Sequence, residues 1–401
     1  QVDGYGRNLS SNPETSGRYH TDWLNMMYPR LKLARNLLKD DGVIFISIDD
    51  TEAPNLRKIC DEIFGEENFF ADMIVIRAEG GGLAKRVIKG HDNLLAYVKG
   101  IENFKGIFKP KDIRGKVVSV DGRDFWIEED WLRKEFGKYG TCLYEEIEEI
   151  KGADKKREIN EGLASGIYRL IPKGNGNIVG RLIALDEDGT KFYSILKHLN
   201  KNGIECLEQL GMEKFFDFPK PLSLLKEIVL GPTIFTKSNS DIVLDFFCGS
   251  ATSAHAVLQQ NLDDAGNRKF VMVQLPEKLD DTENRRRDNK EAIKFLNSKN
   301  FPINLAEISK ERIRRAAKKI KEENPGYNGD LGFKVFKLDS TNIKPWEIDF
   351  ETLNETLLED YISNIKPDRK EEDILYEVLL KYGLDLTLPI SEHTIAGQKA
   401  F

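Results

Sequence analysis

The residues best suited to chemistry lie between positions 245 and 260. An apolar run, Ile242-Val243-Leu244-Asp245-Phe246-Phe247, leads into Cys248-Gly249-Ser250-Ala251, and Thr252 is placed to cap a helix running through Gln260. A strand that ends in a turn of small residues and passes into a helix lets backbone N–H groups and a helix N-terminus approach a ligand closely. Three glycines spaced G-x-G-x-x-G would mark a dinucleotide site, and Gly-Lys-Ser/Thr would mark a P-loop. Only Gly249 stands at this turn, followed by Ser250 and Ala251, and Gly-Lys-Ser/Thr occurs nowhere, so both phosphate-binding readings are weakened. What remains is a ligand with an adenosine part and no phosphate chain. Glu277, at the end of the next apolar run, fits that ligand because an acid there can bind both ribose hydroxyls. Without the preceding turn, Glu277 would read as the start of a loop.

Other reactive side chains read more plainly. His255 falls on the helix after the turn and is expected to pack. Cys248 has no paired base, which argues against a nucleophile. Trp23 and Tyr28 read as core or edge residues of their helix, and Asp49-Asp50 as a solvated pair. The four cysteines (Cys60, Cys142, Cys206, Cys248) form no Cys-x-x-Cys pair, so a structural metal is not expected and reduced cytoplasmic thiols are.

Those residues need a scaffold, and 401 residues provide for two or three units. With 40% hydrophobic and 32% charged residues the chain has the composition of a soluble globular protein, and no stretch approaches a membrane span. It opens on Gln1 with a polar Gly/Ser/Asn segment and no signal pattern, and reads as the middle of a longer polypeptide. The net charge of −7 gives no basic footprint. Two local clusters, Lys105/Lys109/Lys111/Arg114/Lys116 and Lys310/Arg312/Arg314/Arg315/Lys318/Lys319/Lys321, read as solvated faces.

Residues 21–39 show helical spacing through Leu24, Met27, Leu31, Ala34 and Leu38, with Pro29 expected to kink the helix or start a new one. Residues 43–48 suit a strand buried on both faces, 53–64 a helix stopped by Gly65, and 73–77 and 94–98 further strands. The alternation lapses over 101–215, which reads as an inserted domain. It resumes with a helix near 221–229, the strand at 242–247, a strand at 270–275, a basic helix at 305–322 and a strand at 333–338. An amphipathic helix carries Ile374, Leu375, Val378, Leu379 and Tyr382, with Gly383 as its cap. The fold class expected is α/β, with a doubly wound Rossmann-like sheet formed from two chain segments.

Several of these runs resemble the DNA adenine methyltransferases, and most of all the modification subunit of type III restriction-modification systems. They are Asp245-Phe-Phe-Cys-Gly-Ser-Ala-Thr-Ser-Ala-His-Ala-Val257, Phe218-Pro-Lys-Pro-Leu-Ser-Leu-Leu225 and Lys269-Phe-Val-Met-Val-Gln-Leu-Pro-Glu277. The runs at 20–31, 41–50 and 332–340 are similar to the same family, in its permuted order. The resemblance implies S-adenosylmethionine as cofactor. Asp245, Phe247, Gly249, Ser250 and Thr252 fall in its first cofactor motif, and Lys220 and Pro221 over its methionine end. Glu277 matches the ribose-binding acid, and Asp339 with Ser340 would lie near the adenine. It further implies a core from 1–100 and 216–345, a target-recognition domain at 101–215 and a C-terminal region at 346–401.

Two departures matter. The family's last small-residue glycine is Ala251 here, and the catalytic Asp/Asn-Pro-Pro-Tyr is missing, since no two prolines are adjacent. In the family that tetrapeptide holds a flipped base. The resemblance therefore implies N6 methylation of adenine in double-stranded DNA by the intact parent, and cofactor binding without turnover by this chain. A homodimer and a restriction subunit with helicase and nuclease parts are implied as partners, in the cytoplasm. Cytosine-N4 methylation and a non-catalytic DNA-binding or assembly module stay open, and a nucleotide-dependent dehydrogenase is a distant third.

Overall fold

The computed structural model describes residues 20–80, 87–113, 115–137, 140–235, 241–279, 289–344 and 364–400. The opening polar segment and Arg114 lie outside the described residues. The chain forms two compact units, Gln1–Asp330 and Leu331–Phe401.

The first unit begins with helix α1 (Thr21–Leu37), whose Met27, Leu31 and Ala34 recur at helical spacing and are buried. Pro29 lies inside this helix and does not mark a new start. It sits on the exposed side, where the carbonyl that loses its donor can turn to water. Strand β1 (Val43–Ile48) follows, then α2 (Ala53–Phe64), which Gly65 stops at φ +95°. Strands β2 (Phe69–Ile76) and β3 (His91–Val98) come next, and β3 lies antiparallel to both β1 and β2.

Alternation along β1 decides what covers this sheet. Ile44, Ile46 and Ile48 join Leu31, Leu56 and Phe64 of α1 and α2 on one face. Val43 and Phe45 face the other way, toward Leu224, Leu225 and Ile228. Helices thus pack on both faces, the doubly wound arrangement expected. Each fully buried Leu or Phe in these layers contributes roughly 1.5–3 kcal/mol by leaving water.

The middle of the chain holds β4 (Phe108–Lys109), β5 (Val117–Val120), β6 (Arg123–Glu128), α3 (Trp131–Glu135), α4 (Ile147–Lys151), α5 (Ala153–Ala164), β7 (Tyr168–Lys173), β8 (Gly176–Ala184) and β9 (Thr190–Lys191). Strands β5-β6-β8-β7 form an antiparallel sheet, Val179 of which packs with Trp131, Ile147 and Ile159, and β4 pairs with β9. The next elements return to the core. Strand β10 (Ile195–Lys197) adds in parallel to β2, and α6 (Asn200–Gln209) packs its Leu207 with Leu296 and Ile308 from later helices.

Helix α7 (Leu222–Thr233) leads to β11 (Ile242–Asp245), α8 (Thr252–Asp264) and β12 (Lys269–Met272), a parallel β-α-β unit. Val229 of α7 and Ala256 and Val257 of α8 cover Val243 and Phe270. Leu225 touches this cluster and the one behind β1, so α7 is the shared cover of both sheets. The two chain segments do not hydrogen-bond into the single sheet expected: among the described residues β1 pairs only with β3, and β11 only with β12. Helices α9 (Lys290–Ser298) and α10 (Leu305–Glu323) close the unit, with the Asn304 side chain accepting from the Glu307 N–H to cap α10.

In the second unit, among the described residues, the expected strand at 333–338 is not formed. Its Val335 and Phe336 are about half exposed and Leu338 wholly so, and a strand is stable only where a neighbour completes its backbone ladder. Helix α11 (Glu371–Lys381) does form and ends before Gly383 at φ +69°. A small hairpin, β13 (His393–Ile395) with β14 (Gln398–Ala400), follows.

Candidate functional site

The bend between β11 and α8 is held in a shape its sequence would not keep alone. Gly249 and Ala251 both sit in the left-handed region, at φ +54° and +58°. For Ala251 that conformation costs roughly 1–2 kcal/mol, so surrounding contacts must enforce it. Asp245 supplies two of them, accepting from the Phe247 N–H at 3.1 Å and from the Ser253 hydroxyl. The continuation of β12 supplies two more: the Gly249 N–H donates to Gln274 Oε1 at 2.8 Å and the Cys248 N–H to the Val273 carbonyl at 3.3 Å. The Ala251 N–H closes the turn on the Cys248 carbonyl at 2.7 Å.

These bonds place the bend beside the segment that runs on to Glu277, whose carbonyl accepts from the Leu305 N–H at the start of α10. Phe247 is 39% exposed and Leu275 54%, so apolar surface stands open on both segments. The segment before Lys220 also arrives here, since a Cβ built on Gly249 would stand 3.7 Å from the Phe216 ring. Close approach elsewhere along that segment depends on Gly203 of α6, where a Cβ would fall 2.2 Å from the Pro219 carbonyl oxygen.

Several of the expected site residues have partners within the fold. Thr252 is the first residue of α8 but not its cap; Ala251 occupies the cap position, with no side-chain cap bond. The Ser250 and Thr252 hydroxyls are buried and accept from Arg312 of α10, at 2.8 and 2.6 Å. Lys220 donates to Ser47 Oγ at 2.9 Å and lies 3.0 Å from Asp92, which Arg77 also pairs at 3.0 Å. Pro221 is the cap residue of α7. Asp339 belongs to the second unit, where it pairs with Arg369 at 3.1 Å.

The bland readings of Cys248 and His255 agree with their surroundings. Burial, and then the nearby Asp245 carboxylate, push the Cys248 thiol up to about 12, which leaves no thiolate at neutral pH. Burial first and the Arg312 charge second push His255 down to about 3, so it stays neutral. Asp50 pairs with Lys89 at the surface, as a solvated acid does. Among the described residues no group of three or more His, Cys, Asp or Glu side chains is arranged to hold a metal ion. No described helix is long and apolar enough to cross a membrane.

The reading of the basic clusters as solvated faces agrees with the exposed Lys105, Lys116, Arg314, Lys318 and Lys321 but not with Arg312. Arg312 is fully buried and Arg315 donates to the Leu210 and Gly211 carbonyls. In the other cluster Lys109 pairs with Glu227 and Lys111 with Asp188. A signal for Arg312 was present in the sequence. It falls within the apolar stripe Leu305, Ile308, Ala316, Ile320, where a surface cation has no place. Gln274 and Ser309 carried no comparable mark.

Comparison with known proteins adds an independent line. The DNA methylase family N6_N4_Mtase matches residues 5–318. The type III restriction-modification enzyme StyLTI Mod subunit of Salmonella typhimurium is 31% identical over 79% of this chain and 48% of its own length. The EcoP15I Mod subunit of Escherichia coli is 26% identical over 95% of this chain and 62% of its own. This chain thus spans between about half and three-fifths of those relatives. A putative DNA modification methylase of Thermus thermophilus, solved with S-adenosyl-L-methionine, aligns at 13% identity and a TM-score of 0.35 over 79% of this chain and 84% of its own.

Proposed function

The chain belongs to the N6_N4_Mtase family of DNA methylases, and we propose that its parent protein is the modification subunit of a type III restriction-modification system. The reaction proposed is methyl transfer to the N6 amine of adenine in double-stranded DNA. When bound, S-adenosylmethionine supplies an electrophilic methyl group on a sulfonium centre. The observation that supports this reading most is the bend itself. A strand–helix joint holds two left-handed residues, Gly249 and Ala251, and the first of them is tied to Gln274, three residues ahead of Glu277.

The chain's own residues have distinct parts in this proposal. Glu277 binds the ribose hydroxyls, an acid accepting two hydrogen bonds at a strand's carboxyl end. Phe247 and Leu275 offer the apolar surface an adenine ring needs. Asp245 acts behind the bend, fixing Phe247 and the start of α8. Gly249 and Ser250 present backbone, while Lys220 and Pro221 bring their segment to the methionine end. Asp339 is assigned to the adenine by family resemblance alone. Residues 101–215 serve as the target-recognition domain between the two parts of the core, 1–100 and 216–345, with 346–401 as a C-terminal region. Duplex DNA, a second copy and a restriction subunit are the partners proposed, in the cytoplasm. Because no Pro-Pro pair occurs in the sequence, this chain is proposed to bind cofactor without turning over.

Calorimetric titration with S-adenosylmethionine is the direct test. Binding is expected, with a loss of about tenfold or more in Glu277→Ala, the scale of a buried hydrogen bond to a charged group. Absence of binding by the unaltered chain would favour a DNA-binding or assembly module instead. Methyl transfer by this chain would overturn the inactive reading, and nucleoside analysis of DNA methylated by the full-length parent would distinguish adenine N6 from cytosine N4.

A further inference from the structure

A buried guanidinium ordinarily faces a carboxylate, because removing it from water is costly unless the charge is met. Arg312 is fully buried, yet among the described residues no carboxylate lies within ion-pair distance. Its Nη1 donates to Ser250 Oγ and Thr252 Oγ1, its Nη2 faces Cys206 Sγ at 3.8 Å, and its Nε has no partner. Burial pulls its pKa down. It also stands at the N-terminal end of α8, the end where a cation is least welcome. Stability alone does not account for such a residue.

What Arg312 does hold is the bend. One turn earlier on the same face of α10, the Ser309 hydroxyl donates to the Gly249 carbonyl. Ser309 and Arg312, three residues apart, therefore grip positions 249, 250 and 252 together. Between those positions lies Ala251, in a conformation it would leave if released. Phe247, two residues before Gly249 and 39% exposed, marks the open side of the bend, where the ligand is proposed to lie.

We propose that Arg312 is a positioning residue: by binding the Ser250 and Thr252 hydroxyls it locks the left-handed bend into the shape that receives S-adenosylmethionine, without touching the cofactor. This rests on the reading of the bend as the cofactor cradle. Thr252→Val removes one acceptor with little change in volume, Ser250→Ala removes the other, and Arg312→Met removes the donor.

The experiment is calorimetric titration of the 401-residue chain and these variants with S-adenosylmethionine, alongside hydrogen exchange of the ligand-free proteins. Thr252→Val and Arg312→Met are each expected to weaken binding about tenfold, the scale of one charge-assisted hydrogen bond. Their combination should be no weaker than the worse single change, since both break one contact. Arg312→Lys should recover part of the loss, and amides of residues 248–252 should exchange faster in Arg312→Met. Folded variants with lower melting temperatures but unchanged affinity would overturn the proposal, as would additive losses. If Arg312→Met does not fold, the Ser250→Ala/Thr252→Val double variant decides, and unchanged affinity there overturns the proposal. An unaltered chain that fails to bind overturns the cofactor reading and this inference together. Binding that survives every variant overturns this inference alone.

Discussion

Two joints in the first unit share one plan: an apolar strand, an acid at its carboxyl end, and a helix starting a few residues later. They are built very differently. After β1, Asp49 accepts from the Thr51 N–H at 3.1 Å and Asp50 meets Lys89 at 2.7 Å, with that pair more than half exposed. Nothing there is left-handed. After β11, Asp245 is tied to the bend and to α8, two residues are left-handed, and side chains from β12's extension and α10 hold the backbone from two directions. An acid at a strand end is thus a poor sign of a site by itself. The informative feature is a backbone held in a costly conformation by contacts from other elements.

That contrast can be broken most forcefully at Ala251. A β-branched residue there combines left-handed strain with overpacking at a position that is 0% exposed. Ala251→Val is expected to lower stability by about 3 kcal/mol in urea denaturation, whereas Thr51→Val at the other joint should stay within about 0.5 kcal/mol. Ala251→Gly should change little, because relief of strain and the added freedom of the unfolded chain are each roughly 1 kcal/mol and oppose one another.

The second joint should also be the acid-sensitive one. His255 has its folded pKa pushed down to about 3 from 6.5, and the unfolded chain regains the ordinary value. Between those values the unfolded state binds the extra proton, so stability falls as pH is lowered through that window. Lowering pH from about 6.5 to about 5 should cost about 2 kcal/mol from this group. Denaturant titrations at both pH values should show a smaller difference in His255→Gln than in the unaltered chain; an equal difference would mean that His255 already accepts a proton in the fold. The charges facing it, Arg312, Lys319 and Lys226, all act in the same direction as burial.

The finest comparison is between the acids. Asp245→Asn keeps the shape but weakens two hydrogen bonds and should cost about 1–3 kcal/mol. Asp49→Asn should be nearly neutral on the same thermal melt. Equal effects would remove the distinction drawn between the joints.

Local order along the chain was written in the sequence. The helix Ala53–Phe64 with its stop at Gly65, the alternation of β1, and the strand–turn–helix at 242–260 follow from periodicity and from glycine placement, which act within a few residues. The small-residue bend was legible for the same reason, whereas Glu277 was singled out by its place after the next apolar run and stands as a proposal. Tertiary structure alone decided where long side chains went. Lys220 crosses to Ser47 and Asp92, and Arg312 leaves a basic run to bind Ser250 and Thr252. It also decided that α7 is shared between two sheets and that, among the described residues, 333–338 join no strand ladder. Strand pairing and buried charge placement depend on partners scores of residues away. No local pattern encodes which of several chemically equivalent partners the folded chain brings within reach.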